Sequence, residues 1–238
     1  MSLLSVEHVT RRFGGILALD DVSLDASVGE IVGLIGPNGA GKTTLFNLVT
    51  RLYRPQSGEI RLAGRSLLRT PAYRVVRRGI ARTFQNVELF STMNVLENVF
   101  VGMHSRFAFR GGRRHARETL EYLELDHLAD TEAGSLPYGL QKRVELARAL
   151  AANPSVLLLD EPAGGLSHEE VGELATTIRA IRDRLELTVV VVEHHMNLVM
   201  SISDRVYALD FGRCIAAGTP AEVQRDPAVV EAYLGSVE

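Results

Sequence analysis

Membrane-length apolar runs, paired cysteines and a strong excess of either charge are all missing from this chain. No stretch approaches the ~18 consecutive apolar residues that a membrane helix needs. One cysteine, Cys214, excludes an intramolecular disulfide framework and suits a reducing cytosol. A formal net charge of −3 argues against general nucleic-acid binding, which depends on an excess of Lys and Arg to neutralise phosphates. The opening MSLLSVEHVTRRF is too interrupted an apolar stretch for a signal peptide. There is no internal repeat and no low-complexity segment. The expectation is a cytosolic protein that meets a membrane only through a partner. What is present is ample for one large domain: 238 residues, 46% hydrophobic and 23% charged.

Two kinds of strand pattern occur. Residues 3–8 and 16–26 alternate in part (Val6, Val9; Val22, Leu24, Ala26), as antiparallel strands exposed on one face do. Ile31–Ile35, Val156–Leu159 and Val189–Val192 are continuous apolar runs, the signature of strands buried on both faces of a parallel sheet. Helical patterns follow each run, at 41–51, 168–185 and 195–203, so the expected class is α/β. Between them, 90–152 has a different character. Asn94 with Glu97 reads as a capping box opening a helix at 95–102, Arg113–Glu124 has helical apolar spacing, and 139–152 is rich in Ala, Leu and Arg. These features predict a helical lobe inserted in the core. Near the end, Val206–Leu209 and Cys214–Ala217 flank Asp210-Phe211-Gly212, read as a turn between strands because the other kinase signatures are absent.

Gly36-Pro37-Asn38-Gly39-Ala40-Gly41-Lys42-Thr43 has the spacing of a phosphate loop, preceded by an apolar strand and followed by a helical pattern. Glycines let successive N–H groups turn around a phosphate, and the helix start adds its positive dipole end. Lys42 is expected to reach the β- and γ-phosphates of ATP, and Thr43 to coordinate Mg²⁺; Thr44 completes the nucleotide site. The strand Val156–Leu159 ends in Asp160-Glu161, at the sheet edge where α/β folds place ligands. Asp160 is expected to hold the metal and Glu161 to polarise the attacking water.

With these motifs, the chain resembles the ATP-binding subunits of ABC transporters nearly end to end. The resemblance implies a mostly parallel core sheet, an antiparallel β subdomain and an inserted helical lobe. It implies that Phe13, in Arg12-Phe13-Gly14-Gly15, stacks on adenine, and that Gln85, in Arg82-Thr83-Phe84-Gln85, senses Mg²⁺. It also implies that His194 contacts the γ-phosphate. Leu136-Pro137-Tyr138-Gly139-Leu140-Gln141 resembles the loop that caps the γ-phosphate of an opposite subunit, with Tyr138 and Gly139 in the cap. Pro137, Tyr138 and Leu140 replace the common Ser, Gly and Gln, and Ser167 stands where the family usually has Asp. Gly139 and the helix start can still offer N–H groups to an anion.

Phe13-Gly14-Gly15, Arg82–Gln85, Pro137-Tyr138-Gly139 and the ending Gly218-Thr219-Pro220…Ala232-Tyr233-Leu234-Gly235 are similar to LIV-type branched-chain amino acid importers. The lobe looks shorter than usual around the Arg-rich stretch Arg106–Arg117. The implied partners are a second ATPase subunit (an identical copy or a paralogue), membrane permease subunits reached through Gln85 and an exposed Leu89-Phe90, and a substrate-binding protein; nucleic acid is not among them. The implied location is peripheral, on the cytoplasmic side of the membrane. A lipid or lipopolysaccharide export ATPase, and a soluble ABC ATPase acting on ribosomes or DNA, are the alternatives.

Overall fold

The computed structural model describes residues 2–103 and 111–234. Its first two strands, β1 (Ser2–Phe13) and β2 (Ile16–Ser27), form a long antiparallel hairpin. Leu4, Val6 and Val9 of β1 and Val22, Leu24 and Ala26 of β2 are buried, so the alternation does put one face on the core. β4 (Ser57–Leu62) pairs with β1 and the short β5 (Arg65–Ser66) with β4, in the order β2-β1-β4-β5.

The second sheet carries the continuous apolar runs. β3 (Ile31–Ile35), β6 (Ile80–Arg82), β7 (Val156–Asp160), β8 (Thr188–Val192) and β9 (Arg205–Asp210) are parallel, and β10 (Arg213–Gly218) lies antiparallel at the edge. The order is β10-β9-β3-β8-β7-β6. Every residue of β3, β7 and β8 is buried. Leu157, Leu159, Val189 and Val191 pack toward the helical side, whereas Val156, Leu158, Val190 and Val192 pack toward the antiparallel sheet. Two covered faces explain why these strands show no alternation.

Helices α1 (Lys42–Val49), α2 (Ala72–Arg78), α6 (His168–Leu185) and α7 (Met196–Ile202) connect strands, and α8 (Pro220–Arg225) and α9 (Pro227–Leu234) follow β10. Between β6 and β7 lie α3 (Val95–Gly102), α4 (Gly112–Tyr122) and α5 (Tyr138–Ala151). Asn94 and Glu97 form both bonds of the capping box expected for α3. Ser167, the replacement for the family Asp, caps α6 in a second box with Glu170. The lobe helices share one apolar cluster with β7, β8 and α6, so the lobe rests on the sheet and has no separate core. Of the Arg106–Arg117 stretch, 106–110 lie outside the described residues, as does Gly235 of the terminal motif. Leu89 corrects one expectation: it packs partly buried against the lobe, leaving Phe90 exposed beside it. No helix among the described residues is long and apolar enough to cross a membrane.

Candidate functional site

The loop after β3 threads between the first hairpin and β9. Gly36, at φ +150°, lies so close to the Leu209 carbonyl that a Cβ would collide with it. Gly41, at φ +105°, opens α1, and a Cβ there would fall 2.7 Å from the Ala18 carbonyl oxygen. Only glycine satisfies both the dihedral and the approach. Lys42 is buried and turns back on its own loop, donating from Nζ to the carbonyls of Gly36 (2.6 Å) and Pro37 (2.9 Å). Burial pulls its ammonium pKa below the ordinary value, while the charges of Glu161, Asp160 and Glu193 oppose that shift. From the far end of the chain, Tyr233 of α9 accepts the Gly36 N–H on its hydroxyl at 2.7 Å, and Gly212 donates its N–H to Ala40 at 3.1 Å.

β7 delivers Asp160 and Glu161 beside this loop. The Asp160 carboxylate, nearly fully buried, takes a 2.6 Å ion pair from Arg82 of β6, whose side chain is equally buried. Arg82 also donates to the Asn47 side chain of α1 at 2.7 Å. A charge this deep is tolerable only with its partner in place, and breaking such a pair costs about 3–5 kcal/mol. Arg82→Met is therefore expected to lower unfolding stability by about 3 kcal/mol, read as a shift in urea midpoint. A midpoint equal to that of the wild type would show that Asp160 does not depend on Arg82.

Glu161 sits at φ +47°, an unfavourable conformation for a residue with a side chain; its N–H donates to the Val192 carbonyl at 2.9 Å. Its Oε2 accepts from Gln85 Nε2 at 2.8 Å and lies 3.8 Å from His194 Nδ1, too far for a hydrogen bond. Thus Gln85, Glu161 and His194 are brought together. Glu193, fully buried just past the end of β8, ties the segments that carry Glu161 and His194 together, its carboxylate accepting the N–H groups of Ala163, His194 and His195. The Gln85 segment is gripped from the lobe along one face of α5. Lys142 Nζ donates to the Gln85 carbonyl at 2.7 Å, Glu145 accepts the Phe84 N–H at 3.3 Å, and Arg148 donates to the Glu88 carbonyl. Burial pushes the Glu145 carboxyl above its usual range, against the Phe84 bond and the nearby Arg148 and Lys142 charges.

The open cleft over the loop is lined by Ile16–Ala18, 38–44, Glu161 and Phe211. Phe13 does not line it: its ring packs edge-on against Tyr53 at 5.1 Å, under the Arg11 guanidinium at 4.3 Å. Ile16 and Phe211, the latter 86% exposed in the two-residue turn between β9 and β10, present the apolar surface there instead. Tyr138 and Gly139 are also elsewhere. Pro137 and Tyr138 are exposed at the start of α5, and Gly139 lies against Glu170 of α6, so the capping loop is not part of its own chain's cleft. Arg82, Lys142 and Glu193 were not legible as site residues, although a carboxylate closing an apolar strand is the signal that would have flagged Glu193.

The oxygen donors near the cleft fit a hard divalent cation: the Thr43 hydroxyl at the cleft, the Asp160 carboxylate and the Gln85 amide. None is a soft ligand.

The chain matches two family models, described as "ABC transporter" over residues 19–164 and "Branched-chain amino acid ATP-binding cassette transporter" over 213–238. It is 42% identical to the high-affinity branched-chain amino acid transport ATP-binding protein BraF of Pseudomonas aeruginosa, covering 98% of both chains. Its fold is similar to the ADP conformation of an ATP-binding cassette of an ABC transporter, with TM-score 0.90 at 30% identity, covering 99% of this chain and 100% of that one. It is also similar to a dimeric post-hydrolysis cassette bound to ADP and Pi, with TM-score 0.80 at 29% identity, covering 91% and 98%.

Proposed function

Because the chain belongs to the ABC transporter family of ATP-binding subunits, we propose that it powers the import of branched-chain amino acids, closing as a dimer around ATP beneath separate membrane subunits. Its activity is that of an ABC ATPase. The observation that carries the closing mechanism is the separation within one chain of the phosphate loop from Tyr138 and Gly139. A second subunit, facing the first head to tail, supplies the missing cap. The likeness to branched-chain amino acid transport proteins, and the match of the last 26 residues to a model for such proteins, support the cargo and favour import over lipopolysaccharide export.

In this reading Lys42 leaves the Gly36 and Pro37 carbonyls for the nucleotide phosphates, joined by the N–H groups of 39–44 and the positive end of α1. Thr43, Asp160 and Gln85 would hold a Mg²⁺ accompanying the nucleotide, and that cation would supply charge neutralisation at the phosphates. Glu161 orients and accepts a proton from water, with Gln85 fixing one carboxylate oxygen and His194 placed to meet the γ-phosphate. Phe13 reaches the adenine only by leaving Tyr53; Ile16 and Phe211 already flank the cleft. α5 links the two halves of the mechanism, since it begins at the cap and grips the Gln85 segment through Lys142, Glu145 and Arg148.

Purification of the native complex through a tag on this chain tests the assignment. Membrane subunits and an ATPase partner should copurify, placing the chain in a membrane complex. Recovery with ribosomes or DNA, and no membrane protein, would overturn it.

A further inference from the structure

Charge is distributed unevenly along this chain. Residues 51–78 hold eight arginines, no lysine and one acid, Glu59, a formal charge of +7 within a protein of −3. Two of the eight are committed: Arg51 donates to the Leu68 carbonyl, and Arg61 pairs with Glu7 and Glu59. The other six, Arg54, Arg65, Arg69, Arg74, Arg77 and Arg78, are exposed, and no carboxylate of the described residues lies within ion-pair range of any of them. Some arginines elsewhere in the molecule, among them Arg82, Arg182, Arg205 and Arg213, do hold carboxylates.

α2 organises the centre of this patch. Val75 is buried and fixes the helix on the core, while Arg74, Arg77 and Arg78, at i, i+3 and i+4, share the outward face. Large apolar groups are exposed within the same segment: Tyr73 at 68% and Leu52 at 55%, with Arg74 lying 5.4 Å over the Tyr73 ring. Guanidinium groups without counter-ions, set among an exposed tyrosine and leucine, match the chemistry of an anionic bilayer surface. Arg binds phosphate bidentately, and amphipathic aromatics settle at the headgroup level. A patch of this kind on a protein of net negative charge orients the molecule, presenting one face to the surface while the remainder is repelled.

We propose that the α2 face, centred on Arg74, Arg77 and Arg78, binds the anionic lipid headgroups of the membrane directly. The chain then contacts the bilayer itself as well as its membrane subunits, contrary to the expectation from the sequence. The inference extends the reading of a membrane-associated subunit and is independent of the cargo. Its location explains why it is useful: α2 leads directly into β6, the strand that carries Arg82 and precedes Gln85. Lipid contact would hold the face next to the Gln85 segment toward the membrane.

Cosedimentation of the purified full-length chain with vesicles tests this. The wild type should bind vesicles of phosphatidylcholine containing phosphatidylglycerol, should not bind phosphatidylcholine alone, and should be released by salt. The triple variant Arg74→Glu, Arg77→Glu, Arg78→Glu should retain its ATP hydrolysis, which shows that it is folded, and bind the anionic vesicles on the order of a hundredfold more weakly. Equal affinity of wild type and variant, no binding by the wild type, or indifference to lipid charge would each overturn the proposal. So would a variant that fails to assemble with its membrane subunits in detergent free of anionic lipid, since the arginines would then serve a protein partner. Intact copurification alongside failed vesicle binding would defeat this inference alone and leave the transport reading standing.

Discussion

Replacing Lys42 by alanine is expected to abolish ATP turnover, by a factor of at least about 10²–10³, while leaving the fold intact. The loss follows from the removal of the one cation on the phosphate loop that is free to rearrange. Lys42 Nζ is held by two carbonyls of the loop and by nothing that a bound phosphate could not replace. Its removal costs the core little, because burial already disfavours its charged form. Thermal unfolding should therefore be close to that of the wild type, and ATP should no longer raise the midpoint through binding to the native state. Wild-type turnover in the variant would show that the loop does not hold the nucleotide.

Glu161→Gln should preserve ATP binding and slow hydrolysis by about 10²–10⁴, the usual effect of losing a general base. The substitution is nearly isosteric, and a glutamine oxygen can still accept the Gln85 hydrogen bond seen at 2.8 Å, so geometry is kept and basicity is lost. With hydrolysis blocked, the γ-phosphate stays in place and the closed dimer should persist. Size-exclusion chromatography with ATP should show the dimer of the variant and not of the wild type. A monomer at all concentrations would mean that the partner is a paralogue. Hydrolysis at the wild-type rate would remove Glu161 from the chemistry.

How much of this could be read from residues alone depended on whether the signal was local. The phosphate loop was legible because its spacing, the strand before it and the helix after it lie within about twenty consecutive residues. The same is true of the capping boxes: Asn94 and Glu97 announce α3 in four residues. β3, β7 and β8 were visible as apolar runs because both sheet faces are covered. Strands β4, β5 and β6 were not: β5 and β6 are very short, and β4 and β6 take their places from pairing with the distant β1 and β7. Helix α2 was masked by its own arginines, which leave one buried residue, Val75, to mark its inner face.

The site divides in the same way. Asp160 and Glu161 could be named from the strand they end, but Arg82 lies 78 residues away, and its motif did not mark it as the partner of Asp160. The Lys142 bond to the Gln85 carbonyl spans 57 residues and goes to a backbone atom, which no side-chain pattern records. Phe13 shows the opposite limit. Its position ahead of the phosphate loop fits adenine stacking, yet in this conformation its ring is taken up by Tyr53 and Arg11, and exposed Ile16 and Phe211 stand nearer the loop.

The central claim, that ATP hydrolysis by this chain drives branched-chain amino acid import, is tested most directly by uptake. The native complex should be reconstituted in vesicles with ATP on the side of this chain and the binding protein with labelled leucine on the other. The account predicts leucine accumulation that requires ATP and disappears when this chain carries Lys42→Ala. Steady ATP hydrolysis with no uptake of leucine, isoleucine or valine, or uptake that persists with the Lys42→Ala chain, would contradict it.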